Sequence, residues 1–331
     1  SRELLAERLV QGARHVEVQV LGDQHGNLVH LYDRDCSLQR RRQKLIEEAP
    51  APGLDEGLRQ RLQEAALALA AAVDYQGVGT VEFLVSGDDF FVLEMNTRLQ
   101  VEHGVTEAIT GVDLVEQQIR VARGEPLALQ QADIRCNGHA IEARVYAEQP
   151  QREFAPCTGT VLGFNCAPRA GLRVDAGVAA GVEVSHYYDG LLCKLISHRP
   201  DRGQATALLQ QALSGLWLPG VDTNQAFLGA LLAAPAWSAP EQLHVAVVDE
   251  QLPALLPAAR LDVASRQRLL AAATVWRFRR HPPAADVRPW PGGYQLQRQT
   301  DWRTEAGVET VVWQWLGPGC YQFPDYGLML A

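Results

Sequence analysis

The stretch Phe90–His103, FFVLEMNTRLQVEH, decides the fold, because it joins an apolar strand pattern to a row of polar side chains. In an extended chain, successive side chains point to opposite faces of a sheet. Extension through this stretch would therefore collect its polar side chains on one face: Glu94, Asn96, Arg98, Gln100 and Glu102. The other face would carry the apolar set: Phe91, Leu93, Met95, Leu99 and Val101. The pattern predicts a strand with one functional face and one apolar face.

The sequence predicts a hairpin of two strands here, Thr80–Val85 and Phe90–Met95, joined by the turn residues 86–89. The hairpin brings Glu82 opposite Glu94. Two carboxylates and the amide oxygen of Asn96 are hard ligands of the kind that Mg²⁺ prefers, so we expect a metal site here. The competing interpretation is a solvated strand face, on which mixed charges are common.

Sequence on either side of this hairpin predicts a mixture of strands and helices. Strands are expected over 14–35 in two arms, over 139–147, and over short runs at 159–164 and 172–175. Helices are expected over 54–73, 113–123, 201–216, from Asp222 or Thr223 to Leu232, and over 263–278. The prolines at 235, 240, 253 and 257 predict a linker zone, and a Trp-rich β unit is expected after residue 283.

Composition limits the class of protein. The chain has 331 residues, of which 47% are hydrophobic and 21% charged, and its formal net charge is -9. That charge argues against nucleic acid as a partner. Neither a membrane-spanning run nor a signal peptide is found, so we expect a cytoplasmic protein, ahead of a mitochondrial matrix one. Six scattered cysteines are expected to be free thiols.

Five blocks in order resemble the biotin carboxylase family of the ATP-grasp fold. They are HVEVQVLGD, RDCSLQRRRQKLIEEAPAPG, GVGTVEFL, FFVLEMNTRLQVEHGVTEAITGVDL and GHAIEARVYAEQP. The match is collinear from about Glu7 to Leu256. It implies an α+β fold with an ATP-grasp C-terminal lobe (1–133) and a biotin carboxylase C-terminal domain (134–256).

The resemblance also implies roles for individual residues. Glu102 matches the general base, with Lys44, Arg98 and Arg144 as its catalytic neighbours. The bicarbonate and biotin pocket is implied at Arg98, Gln100, Val101 and Arg144. Nucleotide-binding positions are implied at Glu7, Leu9, Val10, His15 and Gln39. Metal ligands are implied at Glu82, Glu94 and Asn96.

Each implied role has a simpler alternative. His15 could be an ordinary strand histidine, the run Arg40–Lys44 a solvated basic loop, and Arg144 half of a surface ion pair with Glu142. Two positions depart from the family pattern, since Arg42 stands where the family usually has His and Gly104 where it usually has Pro.

The implied reaction is ATP-dependent carboxylation of biotin by bicarbonate through carboxyphosphate, with Mg²⁺ or Mn²⁺ as cofactor. On this resemblance the family's N-terminal domain, its lid and the biotinyl carrier domain lie outside the chain, which we therefore expect to be weak or inactive alone. By their composition and by the order of their predicted elements, residues 257–331 resemble the helix and small β-barrel-like module by which acyl-CoA carboxylase α subunits dock a carboxyltransferase β subunit. The expected partners are that subunit, the biotinyl carrier domain and further copies in a higher oligomer. The alternatives are another ATP-grasp carboxylate ligase or a non-catalytic assembly fragment.

Overall fold

The computed structural model describes residues 4, 8–256, 263–280, 297–304, 307–317, 320–326 and 328–330. Glu7, one of the expected nucleotide contacts, lies outside the described residues. The chain divides into two units, Ser1–Pro257 (unit 1) and Ala258–Ala331 (unit 2). None of the described helices is long and apolar enough to cross a membrane.

Unit 1 is built on a large antiparallel sheet. Its strands are Arg14–Gly22 (β1), Leu28–Arg40 (β2), Gln43–Ala49 (β3), Gly77–Ser86 (β4), Asp89–Asn96 (β5), His139–Tyr146 (β6), Leu172–Ala176 (β10) and Leu191–Arg199 (β12). They lie in the order β10-β12-β6-β3-β2-β1-β4-β5. Four short strands form two small ribbons: Glu148–Gln149 (β7) with Ala155–Pro156 (β8), and Gly159–Thr160 (β9) with Glu183–Val184 (β11). The sheet thus joins strands from both sides of the expected boundary at residue 133, which itself stays a prediction.

The helices of unit 1 are Glu56–Ala71 (α1), His103–Thr110 (α2), Leu114–Ala122 (α3), Arg202–Gly215 (α4), Gln225–Ala233 (α5), Pro235–Ser238 (α6) and Val247–Leu255 (α7). Local capping explains where several begin. The Asp55 carboxylate accepts hydrogen bonds from the amides of Gly57 and Leu58 at the start of α1. Asp113 and Asp201 cap α3 and α4 in the same way.

Alternation along β1 sets the two faces of the sheet. Val16, Val18 and Val20 are buried against α1, which presents a stripe of Leu and Ala at four-residue spacing. The intervening side chains are polar, yet they are also buried: His15, Glu17 and Gln19. Because buried polar groups need partners, this second face requires a hydrogen-bonded layer above it.

The strand expected over residues 90–95 is confirmed as β5, whereas its extension to residue 102, on which the shared polar face depended, does not occur. Strand β5 ends at Asn96, and the following residues turn into α2. A register shift between Glu82 and Phe83 breaks the alternation, so the apolar set does not share one buried face. The side chains from Phe91 to Leu93 are 40–52% exposed. A bulge in an edge strand adds one residue to one arm only, which a simple two-residue period cannot register.

The predicted linker zone at residues 235–257 was also wrong over its described part. Those residues form α6 and α7, and Trp237, Leu243 and Val248 are buried in the core shared with α4 and α5. Proline is tolerated in the first turn of a helix, as Pro235 illustrates. Three further elements were not predicted from the local sequence patterns: the strands β3 and β12 and the helix α2.

Unit 2 contains the helix Val263–Arg280 (α8) and an antiparallel meander. Its strands are Gln297–Thr304 (β13), Gly307–Gly317 (β14), Cys320–Phe323 (β15) and Leu328–Leu330 (β16), in that order. Leu270 and Ala271 of the helix pack with Val311, Trp313 and Phe323 in one core. Among the described strands β13 does not pair with β16, so closure into a barrel stays a prediction.

Candidate active site

Arg34 organises the buried polar face of the sheet. Its side chain is fully buried and uses all five of its N–H donors. The Nε atom donates to Glu17 Oε1 at 2.6 Å, and the two Nη atoms donate to four further oxygens. These are Gln19 Oε1 at 2.7 Å, Thr106 Oγ1 at 2.9 Å, Gln100 Oε1 at 3.0 Å and Thr80 Oγ1 at 3.1 Å. Four separate segments are therefore held in register by one guanidinium.

Lys44 joins three carboxylates beside this arginine. Its Nζ atom donates to Glu17 Oε2 at 2.7 Å, Glu82 Oε1 at 3.0 Å and Glu102 Oε1 at 2.6 Å. An ammonium group has three donors, and each is directed to a different carboxylate. The alternative that this residue belongs to a solvated basic loop was wrong for Lys44, whereas Arg41 and Arg42 are both exposed in the β2–β3 turn.

Glu102 is held from both sides. Its Oε2 atom accepts a hydrogen bond from Arg144 Nη2 at 2.8 Å, opposite the contact of its Oε1 atom with Lys44. Only 2% of the Glu102 side chain is exposed. The guanidinium of Arg144 also approaches Glu47 Oε1 at 2.5 Å, so the alternative of a surface ion pair with Glu142 was wrong. We call Glu17, Arg34, Lys44, Glu82, Glu102 and Arg144 the buried charge cluster.

The expected metal ligands lie at one edge of this cluster. Glu82 and Glu94 are directly opposite across the β4–β5 ladder. The Asn96 amide nitrogen donates to Glu94 Oε1 at 3.0 Å and to Glu82 Oε1 at 3.1 Å. The same Glu82 oxygen accepts a hydrogen bond from Gln100 Nε2 at 2.7 Å. Two neighbouring carboxylates with a side-chain amide beside them, and with Glu94 exposed to solvent, are residue types that suit a hard divalent cation.

Two other sets of potential ligand atoms come within 4.8 Å of one another among the described residues: His15, Glu17 and Glu82, and Glu17, Cys36 and Glu102. Cations of the protein already fill the space beside their shared member, since Arg34 and Lys44 contact the two oxygens of Glu17. These sets are therefore parts of an ion-pair network. Glu82 belongs to this network as well, through Lys44, whereas its neighbour Glu94 is exposed to solvent.

Charge neighbours shift the pKa values of the carboxylates. Burial alone would raise the pKa of Glu17, but Lys44 and Arg34 outweigh it and hold the pKa at about 2. Burial likewise opposes the ionised form of Glu82, while the hydrogen bond from His15 and the charge of Lys44 lower its pKa to about 2. Both groups are thus ionised throughout the neutral range.

The remaining expected residues are spread around the cluster. His15 is buried, with its Nε2 atom 3.0 Å from Glu82 Oε2, and its Nδ1 atom is 3.2 Å from Gln39 Nε2. Arg98 is exposed on the loop after β5. Val101 offers its backbone carbonyl to Lys194 Nζ at 2.5 Å. Leu9 and Val10 precede β1, and Leu9 is 80% exposed.

Sequence reasoning missed several members of this site. Glu17 was detectable, because the alternation HVEVQV places it on the same face as His15. Arg34, Glu47, Glu142 and Lys194 carried no comparable signal. Their roles depend on which strands are neighbours in the sheet, and no spacing within one strand reveals that.

Comparisons with known proteins identify the family. Residues 1–130 match the family described as "Carbamoyl-phosphate synthase L chain, ATP binding domain", which by itself leaves the type of ATP-grasp enzyme open. Residues 142–250 match the "Biotin carboxylase C-terminal domain". The chain belongs to the biotin carboxylase family. The expected α+β architecture of ATP-grasp lobe and biotin carboxylase C-terminal domain is confirmed over these regions.

Curated relatives of this chain are named for several carboxylases. The chain is 49% identical to the mitochondrial methylcrotonoyl-CoA carboxylase alpha subunit of Dictyostelium discoideum, over 72% of this chain and 34% of the relative. It is 48% identical to a pyruvate carboxylase subunit of Methanothermobacter thermautotrophicus, over 74% of this chain and 50% of the relative. The chain thus spans a third to a half of these two relatives' length.

A solved structure shares the fold. The biotin carboxylase domain of 2-oxoglutarate carboxylase from Hydrogenobacter thermophilus superposes with a TM-score of 0.73 and 38% identity, covering 77% of this chain and 56% of that one. That domain was crystallised with MgADP, ADP and bicarbonate.

Proposed function

We propose that the chain is the catalytic core of a biotin carboxylase, the component that carboxylates biotin with bicarbonate and ATP through carboxyphosphate. The observation that supports this most is Glu102, a buried carboxylate held between Lys44 and Arg144. Lys44 also contacts Glu82, which faces Glu94 across the β4–β5 ladder. A general base, two fixed cations and a metal-binding face are the parts that this reaction requires.

Glu102 would act as the general base on bicarbonate. Each of its oxygens accepts one hydrogen bond, from Lys44 or from Arg144, and a carboxylate oxygen has a second acceptor site. The carboxylate can therefore take the bicarbonate proton while both cations remain in place. The deprotonated bicarbonate oxygen would then attack the γ-phosphate of ATP, giving carboxyphosphate and ADP.

Arg144 would stabilise the oxyanion that biotin develops when N1 loses its proton. The permanent charge of its guanidinium is fixed by Glu47 and Glu102, so little reorganisation is needed during the reaction. Carboxyphosphate would release CO₂ and phosphate, and the phosphate would accept the proton from N1. A lysine in place of Arg144 could not hold both carboxylates with the same planar geometry.

Arg98 and the adjoining loop would bind bicarbonate. The Arg98 side chain is exposed, so its planar donors are accessible to a planar anion. Gln100 and the Val101 backbone would complete the pocket. Glu82, Glu94 and Asn96 would hold Mg²⁺ or Mn²⁺, which when bound neutralises charge on the transferring phosphoryl group. His15 and Gln39 would contact the ribose, and Glu7, Leu9 and Val10 the adenine.

Fixation of ¹⁴C-bicarbonate onto free biotin tests the proposal, using a full-length subunit that carries this sequence. Glu102→Gln and Arg144→Ala are compared with wild type and with Glu116→Gln, a control at an exposed glutamate. We expect fixation to require ATP and Mg²⁺, and each site variant to lose about a hundredfold or more in kcat. Wild type that fixes no CO₂, or site variants that match the control, would overturn the assignment.

We further propose that the intact protein is the α subunit of an acyl-CoA carboxylase of the methylcrotonyl-, geranyl- or propionyl-CoA type. Relatives named as the alpha subunit of methylcrotonoyl-CoA carboxylase and the alpha chain of propionyl-CoA carboxylase support this, although a pyruvate carboxylase subunit is equally similar. Unit 2, which follows the catalytic part, would dock the carboxyltransferase β subunit, with residues 1–133, 134–256 and 257–331 as the three domains. The biotinyl carrier domain and further copies of the subunit would complete a cytoplasmic assembly.

Unit 2 exposes apolar side chains suited to such docking. Leu269 on α8 is 60% exposed, and Val308 on β14 is 66% exposed. Sedimentation of the 331-residue chain with a methylcrotonyl-CoA carboxylase β subunit should give a complex that Leu269→Glu and Val308→Glu weaken. Leu4→Glu, at an exposed apolar residue of unit 1, serves as the control. Absence of a complex, or equal weakening by the control, would count against docking by unit 2.

A further inference from the structure

Two fully buried carboxyl groups lie beside the buried charge cluster, and neither is assigned a contact with a reacting group in the proposed chemistry. Glu47 on β3 and Glu142 on β6 are paired directly across the antiparallel ladder, and both are 0% exposed. Directly opposed side chains on one face of such a ladder are about 5 Å apart at Cβ. The strands therefore force two acidic groups together in the interior, where a pair of unscreened negative charges is costly.

The cations nearby are too few to neutralise both groups. Arg144 approaches Glu47 Oε1 at 2.5 Å but also donates to Glu102. Lys194 is 3.5 Å from Glu142 Oε2, while it donates to the Val101 carbonyl at 2.5 Å.

Lys194 also lies 3.5 Å from Asp175 Oδ2. Arg144 and Lys194 are thus divided among four carboxylates, two of which are Glu47 and Glu142. Neither oxygen of Glu142 accepts a hydrogen bond from any described residue. A bound proton would supply both the missing positive charge and a donor.

We propose that Glu47 and Glu142 share one proton, and that the resulting singly charged carboxyl pair positions Arg144 and Lys194 against the segment Val101–Glu102. The proton on the pair does not depend on the proposed function; only its consequence for catalysis by Arg144 rests on that function. Glu47 contacts the Nε atom of Arg144 while Glu102 contacts its Nη2 atom, and Glu142 lies beside the lysine that anchors the Val101 carbonyl.

Burial and charge both support a retained proton. Burial raises the pKa of Glu47 to about 7 against the opposing charge of Arg144, with a further contribution from Glu102. Burial also raises the pKa of Glu142, and the charge of Glu47 raises it further despite Lys194. The other charged groups that act on the pair are Lys44 and Glu17 on the Glu47 side, and Arg144 and Glu102 on the Glu142 side.

On α2, Gly104 lies beside the pair, since a Cβ added there would stand 3.5 Å from Glu142 Oε2. Glycine contributes no charge and no side-chain donor. Burial lowers the pKa of His103, next to it, and the charge of Lys194 lowers it further, so this imidazole is neutral at about pH 8. The helix that covers Glu142 therefore supplies no side-chain cation to replace the proton.

Infrared spectroscopy of the 331-residue chain in D₂O detects the proton through the C=O stretch of a protonated carboxylic acid. The difference spectrum between wild type and Glu142→Gln at about pH 8, where ordinary carboxyls are ionised, should show the loss of about one such group per chain. Glu47→Gln should shift this band, because the partner of the proton changes. Glu116→Gln, at an exposed glutamate, should leave it unaltered.

Hydrogen exchange of the amides at residues 97–102 gives the positioning readout. Glutamine is the neutral isostere of a protonated glutamate, so Glu142→Gln should retain the wild-type exchange rates. Glu47→Gln removes the negative charge beside the Arg144 guanidinium and should accelerate exchange there while α5 is unaffected. A wild-type spectrum without an acid band at about pH 8 would overturn the proposal even if a variant failed to fold. Faster exchange in Glu142→Gln than in Glu47→Gln would also overturn it.

Discussion

Replacing Arg34 by lysine should destabilise unit 1 far more than the conservative change suggests. The guanidinium serves five oxygens, of which those of Glu17, Gln19 and Gln100 can only accept. A lysine has three donors on a single nitrogen and cannot serve five oxygens placed around a planar fork. At least two buried partners lose their donor. Each such loss costs about 1–3 kcal/mol, so the expected decrease in unfolding free energy is about 2–6 kcal/mol.

Urea denaturation measures this decrease, with labelling of Cys36 as the probe of unit 1. Cys36 is a free thiol on β2 with no exposed surface, so a thiol reagent reaches it only when the sheet opens. Mass spectrometry of the labelled peptide gives the fraction unfolded at each urea concentration. The dependence of free energy on urea should be unchanged, because the surface exposed on unfolding is the same.

Arg120→Lys provides the matched control. Arg120 is 44% exposed and pairs with Glu125 at 2.8 Å and with Glu116 at 3.4 Å. A surface pair of this kind contributes little, so the same substitution there should change stability by less than about 0.5 kcal/mol. A decrease of less than about 1 kcal/mol for Arg34→Lys, similar to the control, would refute the view that one guanidinium holds the polar face together.

Two further results are expected. The free energy of unfolding should fall as the pH drops from about 4.5 to about 2. Over this range Glu17 and Glu82 bind protons in the unfolded chain but stay ionised in the folded one. The expected loss is about 3 kcal/mol for Glu17 and less for the more solvated Glu82. Urea midpoints across this range should therefore shift in wild type and shift less in Glu17→Gln, and equal slopes would contradict the assignment. Gly104→Ala should lower the free energy of unfolding by about 1–3 kcal/mol, because its Cβ would meet Ile196 Cδ1 at 2.4 Å. Adding Ile196→Val should restore part of this stability in the same urea assay. If the effects of the two substitutions simply add, this contact is not the cause.

Much of the fold followed from local pattern in the sequence. The hairpin of β4 and β5 followed from apolar runs around a turn, and α1 from its leucine spacing and its Asp55 cap. The same patterns failed where local rules compete with packing. The bulge between Glu82 and Phe83 ended the alternation in β5, and the prolines at 235 and 253 lie within packed helices.

The residue types of the candidate site were likewise visible in the sequence. Glu82, Glu94 and Asn96 were expected together from one hairpin, and the structure brings them together. Glu102 and Gln100 were expected on the same extended strand as Glu94. They reach the site by another route, on a loop that leaves β5 and enters α2.

The sequence by itself determined which side chains were available and which elements they stood on, because turns, caps and alternation act over a few neighbouring residues. Only the tertiary structure decided how charges were balanced. Arg34, Lys44 and Arg144 stand on three different strands, yet they share the same group of carboxylates. The pairing of β3 with β6 likewise places Glu47 opposite Glu142, which are far apart in the chain. Electrostatic interaction depends on distance in space and on burial, and both are fixed by strand order rather than by sequence spacing.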